Sequence, residues 1–169
     1  VSPWVVSPQA LAPFRKAMPE RPHGDPRPLP YLDDPGDRDT GALAIQLEAT
    51  LSTEAMRAAG LAPHILSRGS ADAAMYWSAA QIVAHHSSNG CNLQPDDLIG
   101  TGTLSTDAAS GLGSLLEISQ GGKAPLQLPT GETRSFLEDG DEITLKAWCE
   151  AEGAARIGFG ECVGRVAAA

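Results

Sequence analysis

Proline is concentrated at the start of this chain: nine of its thirteen prolines lie within residues 1–35. A segment that contains Asp25-Pro26-Arg27-Pro28-Leu29-Pro30 cannot form a helix or a central strand. Proline lacks a backbone N–H and biases the preceding residue towards extended geometry. Residues 1–40 are therefore either a disordered linker or an extended arm pinned to a domain. The pinned arm is favoured by apolar residues that a solvated linker does not need, namely Trp4, Phe14, Leu29, Tyr31 and Leu32.

The remainder, residues 41–169, shows mainly the two-residue period of β-strands. Over Gly41–Leu51 the residues on one face are all apolar, which predicts a half-buried strand. Beyond residue 97 five further strands are predicted, separated by turn signals such as Gly121-Gly122 and Asp139-Gly140. These strands are Leu98–Thr103, Ser114–Ser119, Ala124–Leu128, Glu142–Cys149 and Arg156–Val166.

One segment has the period of a helix instead. Apolar residues and His86 share a face at spacings of four, seven, eight and eleven from Met75, which predicts an amphipathic helix over about residues 70–88. Ser70 can cap its start, and Asn89-Gly90 can end it. One main helix in a β-rich body indicates an α+β fold, mostly β.

Charge and composition exclude several classes of protein. A net charge of −9 argues against nucleic acid or an anionic membrane surface as a partner, because both require basic patches. No apolar stretch approaches the roughly 20 residues that a membrane helix needs, and no signal peptide is visible. Cys91, Cys149 and Cys162 are odd in number and far apart, which favours reduced thiols. We expect a cytoplasmic protein without a nucleic-acid or membrane partner.

The stretch from His85 to Glu117 contains the candidate site. Its Gly-Thr-Gly-Thr tetrapeptide lets the backbone approach a ligand, with a hydroxyl at Thr103 and a carboxylate at Glu117. Glu117 stands in an otherwise apolar run. It is either an outward residue of a half-exposed strand or a desolvated acid with a partner, and the residues alone leave both open. Thr103 could equally be an ordinary strand residue.

Other candidate residues have simpler explanations. Adjacent helical residues point about 100° apart, so His85 and His86 cannot both serve one site, and a position in the last turn favours a structural or capping role. The acidic pairs at Asp96-Asp97 and around Gly140 are more typical of polar turns than of a metal site. The glycines at 158, 160 and 164 lack the spacing and the following helix of a dinucleotide fingerprint.

Long motifs along nearly the whole chain resemble the fumarylacetoacetase family. They are Val1-Ser2-Pro3-Trp4-Val5-Val6, Asp25-Pro26-Arg27-Pro28-Leu29-Pro30-Tyr31-Leu32, Met75-Tyr76-Trp77, His85-His86-Ser87-Ser88-Asn89-Gly90-Cys91-Asn92-Leu93, Gly102-Thr103-Leu104-Ser105, Phe136-Leu137-Glu138-Asp139-Gly140-Asp141-Glu142 and Arg156-Ile157-Gly158-Phe159-Gly160. The resemblance implies a mixed β-sandwich roll, incomplete here, with residues 1–169 as the C-terminal part of a single catalytic domain. A start without Met likewise predicts a piece of a longer protein.

The resemblance also implies an activity, the hydrolysis of 4-fumarylacetoacetate to fumarate and acetoacetate at the end of tyrosine degradation. In that family a divalent cation, Ca²⁺ or Mg²⁺, polarises the diketone and a histidine-activated water attacks the carbonyl. A carboxylate orients the histidine. The match implies that Glu117 is this catalytic carboxylate and that Thr103 contacts the substrate.

The family's catalytic His, its metal ligands and its substrate-binding Lys, Arg and Gln all precede the Ser-Pro-Trp motif. No metal ligand is therefore expected in this chain, which alone should be inactive. The partners implied are a small diketo acid substrate, the upstream half of the same domain and a second copy in a homodimer. Two alternatives stay open. One is a related acylpyruvate hydrolase, isomerase or decarboxylase, although those relatives lack the arm at Pro8–Pro30. The other is a non-catalytic fragment or assembly module.

Overall fold

The computed structural model describes residues 2–168. Its body is a four-stranded antiparallel sheet of order β4-β3-β7-β8, whose strands are His64–Ser70, Ile45–Ser52, Glu142–Cys149 and Ile157–Arg165. Two small antiparallel sheets pair Arg15–Lys16 (β1) with Ala42–Leu43 (β2) and Leu126–Gln127 (β5) with Thr133–Arg134 (β6). Within the described residues six short α-helices, α1–α6, span Pro8–Leu11, Pro35–Thr40, Glu54–Ala58, Ala71–Ala74, Ala79–Ser88 and Leu115–Ile118.

Three single-turn 3₁₀ helices complete the elements, at Ala12–Phe14, Pro30–Leu32 and Ala109–Gly111. Across the part of the chain that the structure describes, helices occur together with antiparallel sheets and without βαβ units, so the predicted α+β class is confirmed. Over residues 2–168 none of the helices has the length and apolar content that crossing a bilayer requires.

The central strands β3 and β7 form where the sequence alternates most regularly. They pair without a shift from Ile45 opposite Cys149 to Ser52 opposite Glu142. Alternation sends Leu47 and Leu51 to one face and Glu48 to the other. The strands predicted over 41–51, 142–149 and 156–166 are confirmed, with ends that differ by a few residues.

The two faces of this sheet differ in chemistry. One face carries ion pairs across neighbouring strands, Glu48–Arg68 at 2.6 Å, Lys146–Glu161 at 2.8 Å and Glu142–Arg165 at 2.7 Å. The other face is apolar. Phe14, Ala44 and Cys149 form a buried cluster at one end of it, and Leu51 is buried at the other. Its middle is less covered, since Leu145 is 50% exposed.

The proline-rich segment is packed against this body. Phe14 is buried, and its carbonyl accepts a hydrogen bond from Ala44 N at 2.9 Å. Farther along, the amide of Gln81 on α5 donates to the carbonyl of Leu32 at 2.8 Å. The segment is built of short helices and turns joined by extended residues, so it is not extended throughout.

The predicted helix over 70–88 is divided into two helices, α4 at Ala71–Ala74 and α5 at Ala79–Ser88. Ser70 ends β4, which was not predicted, and Met75 after α4 is extended, with φ −84° and ψ 112°. The main helix α5 starts at Ala79 because Ser78 and Gln81 form a capping box. The Ser78 N–H donates to Gln81 Oε1 and the Gln81 N–H donates to Ser78 Oγ, both at 3.0 Å.

Three predicted strands in the middle of the chain are also wrong or too long. Residues 98–103 form no regular element, because no strand of the described residues pairs with them in a ladder. Only Leu126–Gln127 of the predicted 124–128 strand is paired. Residues 114–119 contain the helix α6, in which Ser114 caps Glu117 N at 3.3 Å. The Ser-x-x-Glu spacing of a helix start outweighs the apolar alternation there.

A buried ion pair joins the β6 strand to the turn before β7. Arg134 Nε and Nη2 donate to the two carboxylate oxygens of Asp141 at 2.8 and 3.1 Å, and the side chains are 8% and 1% exposed. Asp141 also accepts the Glu138 N–H at 2.9 Å. The acidic cluster around Gly140, expected to be only a polar turn, therefore includes a buried charge that is fully paired.

Replacing Asp141 with Asn should destabilise the fold, because the Arg134 guanidinium would lose its one buried, two-bonded counter-charge and keep only the more exposed Glu132 at 3.2 Å and Glu138 at 3.3 Å. We expect a loss of about 2–4 kcal/mol in the free energy of unfolding. Glu142→Gln is the matched control, since it removes the same charge from the exposed pair with Arg165 and should cost less than about 1 kcal/mol. Urea unfolding followed by circular dichroism measures both. Equal losses would show that burial of the Arg134 pair is unimportant.

Candidate functional site

The candidate site centres on the carboxylate of Glu117, at the third position of α6. The side chain is half-buried. Ser114 Oγ, on the residue that caps α6, donates to Oε2 at 2.6 Å. Ser105 Oγ, twelve residues before Glu117, donates to Oε1 at 2.8 Å. Each carboxylate oxygen thus accepts a hydroxyl from a different part of the chain.

These two hydroxyls favour the ionised form of the acid. Hydrogen bonds from Ser114 and then from Ser105 hold the pKa of the Glu117 carboxyl below its ordinary value, although partial burial acts in the opposite direction. The carboxylate therefore stays charged to lower pH than an ordinary glutamate. An ionised carboxylate only accepts hydrogen bonds. Glu117 can orient a donor or stabilise a positive charge, but it is a poor proton donor at neutral pH.

Two glycines allow the segment before α6 to lie against residues 103–106. A Cβ on Gly113 would be 2.7 Å from Thr103 Cγ2 and would overlap the carbonyl oxygen of Leu104. A Cβ on Gly111 would overlap the hydroxyl of Thr106, whose N–H donates to the Gly111 carbonyl at 2.9 Å. Glycine at these two positions sets how closely the chain can fold back on itself near Glu117.

Thr103 lies close to Gly113 but lines a different surface. It is exposed, at a cleft of about 270 Å³ between residues 101–104 and the open middle of the sheet. Leu47, Ala49 and Leu145 line the opposite side of this cleft. Glu117 does not line it. The structure therefore places Thr103 and Glu117 in adjoining segments without enclosing them in one pocket.

The two histidines contact other parts of the surface. His85 Nδ1 shares a hydrogen bond of 2.8 Å with the hydroxyl of Tyr31, and the two rings stack. His86 Nε2 lies 3.3 Å from the sulfur of Cys91, in the turn that follows α5. The two side chains have different partners, and neither partner is Glu117 or Thr103.

The acidic turn at residues 96–97 is held by a hydrogen bond within the turn itself. Asp97 Oδ2 accepts the Gln94 N–H at 2.8 Å, and Asp96 adopts a left-handed conformation with φ 74°. Among residues 2–168 no group of three or more His, Cys, Asp or Glu side chains is arranged to hold a metal ion. The residues present do not fit a divalent-cation site.

The sequence analysis did not identify the two serines or Gly113 as parts of the site. The Ser114-x-x-Glu117 spacing was a usable signal, because it predicts a helix start in which the two side chains meet. Nothing in the sequence indicates that Ser105 reaches Glu117. That contact depends on the fold-back of residues 103–113.

Comparison with known proteins gives one consistent result. A family model described as fumarylacetoacetate (FAA) hydrolase C-terminal matches residues 1–167. The chain is 45% identical over 169 residues to fumarylacetoacetase of Homo sapiens, which covers 98% of this chain and 37% of that protein. It is 43% identical over 169 residues to the Caenorhabditis elegans fumarylacetoacetase and 39% identical over 166 residues to the Arabidopsis thaliana fumarylacetoacetase. For these two relatives the match again covers 98% of this chain, but 37% and 36% of their lengths.

Gly113→Ala should destabilise the protein, because the added methyl group would meet a backbone carbonyl that cannot rotate away. We expect a loss of about 1–3 kcal/mol, as for overpacking elsewhere in proteins. Gly100→Ala is the control, since a Cβ at Gly100 has no atom within 4 Å and this glycine does not have a positive φ. Thermal unfolding of both variants is the measurement. If Gly113→Ala unfolds at the same temperature as Gly100→Ala, the close approach between Gly113 and Leu104 does not constrain the fold.

Proposed function

The chain belongs to the fumarylacetoacetate hydrolase family, and on that premise we propose that it is the C-terminal part of a hydrolase that cleaves 4-fumarylacetoacetate into fumarate and acetoacetate. The observation that carries the proposal is the Glu117 carboxylate, held ionised by two serine hydroxyls. It lies beside a segment whose Thr103 opens onto a cleft. The chain spans about 37% of the length of the relatives that it matches. We propose that the rest of the active site belongs to an upstream part of a complete protein.

Glu117 has the chemistry of an orienting carboxylate. Its two oxygens accept one hydroxyl each, which leaves further lone pairs for an incoming N–H. We propose that a histidine of the upstream part donates to Glu117 and takes a proton from the attacking water. The negative charge of Glu117 then stabilises the imidazolium that forms. Thr103, exposed at the cleft, donates a hydrogen bond to the substrate.

The overall reaction adds one water molecule. Water attacks the carbonyl carbon of the fumaryl group, and the bond between that carbon and the neighbouring CH2 carbon of the acetoacetate part breaks. The acyl fragment leaves as fumarate once its new carboxyl group has released the second water proton to solvent. The acetoacetate carbanion takes the proton that the histidine had removed from water, which restores the neutral histidine.

A divalent cation is part of the activity that the family resemblance implies, but residues 2–168 contain no cluster of three or more His, Cys, Asp or Glu side chains that could hold one. We therefore propose that any cation is held by the upstream part of the complete protein. Glu117 is committed to two serine hydroxyls, and we assign it no role as a cation ligand.

The open middle of the sheet suggests where the upstream part packs. Leu47, Leu145 and Phe159 line a cleft of about 300 Å³ on the apolar face, and Trp4 at its edge is 62% exposed. An exposed apolar cleft of this kind favours a covering partner. We propose that the upstream half covers it and that the complete protein is a homodimer. A cytoplasmic location is consistent with three free cysteines.

The isolated 169-residue chain should neither bind Ca²⁺ or Mg²⁺ tightly nor hydrolyse fumarylacetoacetate. A carboxylate and a threonine cannot generate the nucleophile by themselves. Isothermal titration calorimetry with each cation and an absorbance assay for substrate loss are the measurements, with the complete protein as the positive control. Appreciable turnover by the isolated chain would contradict the proposed division of the active site. A complete protein that leaves the substrate intact would contradict the proposed activity itself.

In the complete protein, Glu117→Gln should lower kcat by about 10²-fold or more, because it keeps the shape but removes the charge that stabilises the imidazolium. Substrate affinity should change little. Thr103→Val should instead raise KM by roughly tenfold, through the loss of one hydrogen bond to the substrate. Steady-state kinetics distinguishes the two effects. An unchanged kcat for Glu117→Gln would mean that this carboxylate only caps α6.

A further inference from the structure

We propose that Ser105 and Ser114 are positioning residues for catalysis, which lock the Glu117 carboxylate in one orientation and keep its charge available to the proton acceptor of the reaction. The inference rests on the proposed function, because it needs Glu117 to face an incoming N–H. It goes beyond that function by assigning roles to two side chains that touch neither the substrate nor the reacting atoms in the proposed reaction.

Each serine is itself oriented by a second hydrogen bond. The Gly113 N–H donates to Ser105 Oγ at 3.0 Å, and the Ser105 hydroxyl donates onward to Glu117 Oε1 at 2.8 Å. Ser114 Oγ accepts the Glu117 N–H at 3.3 Å and donates to Oε2 at 2.6 Å. A hydroxyl that accepts from a fixed backbone N–H has its own proton directed away from that donor. In both serines that proton points to the carboxylate.

The arrangement exceeds what capping a short helix requires. In an ordinary capping box the carboxylate at the third position accepts the backbone N–H of the cap residue. Here Glu117 Oε2 bonds the cap hydroxyl, and Oε1 recruits Ser105 from twelve residues earlier in the chain. A four-residue helix gains little from a second distant donor. Fixing both oxygens does, however, remove the rotational freedom of the carboxylate plane.

The choice of donors also has a chemical consequence. Serine hydroxyls are neutral, so they stabilise the carboxylate without cancelling its charge, as an arginine or lysine would. By favouring the ionised form they also oppose transfer of a proton from the imidazolium to Glu117. The carboxylate can then stabilise the imidazolium throughout the reaction without becoming protonated.

The test uses single Ser105→Ala and Ser114→Ala variants of the complete protein. Each should lower kcat by about tenfold, the usual effect of one hydrogen bond to a charged group, with KM nearly unchanged. The acidic limb of the kcat–pH profile should move to higher pH. Its direction follows from the hydrogen bonds: without a serine donor Glu117 takes up its proton at higher pH, so the charge is lost earlier as the pH falls.

Three further variants serve as controls. Ser110→Ala removes an exposed hydroxyl near the site and should leave kcat and the pH profile unchanged. Ser114→Thr keeps the hydroxyl and the cap and should preserve kcat. If an alanine variant fails to fold, Ser105→Cys decides the question. It keeps the size of the side chain but supplies a much weaker donor, so kcat and the acidic limb should shift in the same directions.

A second readout does not depend on activity. Carboxyl ¹³C titration of Glu117, assigned by comparison with Glu117→Gln, should show a higher pKa in the Ser105→Ala and Ser114→Ala variants. Normal kcat, pH profile and carboxyl titration in these variants would overturn this inference while leaving the proposed function intact, provided that Glu117→Gln is still impaired. If Glu117→Gln itself retains full kcat, the catalytic role of Glu117 fails, and the positioning role of the serines fails with it.

Discussion

The hydrogen-bonded register between β3 and β7 continues without a bulge from Ile45 opposite Cys149 to Ser52 opposite Glu142. Because side chains alternate along each strand, this register decides at once which residues of both strands share a face. It puts Glu48 and Lys146 on the face with the interstrand ion pairs and Leu47 on the apolar face. A shift by one residue would turn every side chain of one strand to the opposite face while the other strand kept its own, so the cleft beside Thr103 depends on this register.

The carboxylates of Asp141 and Glu117 have partners of different charge. Asp141 is fully buried and meets a guanidinium, which neutralises it, and a pair of this kind fixes the local geometry at the end of β6. Glu117 is half-buried and meets only neutral hydroxyls, so it keeps its net charge. The first arrangement suits a structural role. The second leaves a charge for a partner, which is why the candidate site lies at Glu117 and not in the acidic cluster around Gly140.

Close backbone contact makes the second arrangement possible. Gly113 has no side chain, so residues 103–106 can approach it, and its N–H then reaches Ser105. The same fold-back brings Thr103 to the mouth of the cleft against the sheet. The short helix α6, the fold-back and the sheet face thus act together. The features proposed to bind substrate and to hold the charge are set by one stretch of backbone.

Sequence patterns correctly predicted the strands that alternate regularly and that also pair with another strand of the chain. β3, β7 and β8 alternate cleanly, and each finds another strand of the chain to pair with. Residues 98–103 alternate too, but a strand forms only where a neighbour completes its hydrogen bonds, and the described residues supply none. Residues 114–119 became a helix because a local cap at Ser114 outweighed a weak alternation.

The sequence by itself determined the α+β class, the acidic charge, the family and the identity of Thr103 and Glu117 as candidate site residues. Motif residues and periodicity are properties of neighbouring positions, and they can be read without coordinates. Only the tertiary structure decided that Ser105 joins Ser114 in holding Glu117 and that Arg134 neutralises Asp141. The Ser105 and Arg134 contacts join residues separated along the chain by turns, glycines and strand ends. Their geometry depends on how those segments pack, which no local pattern specifies.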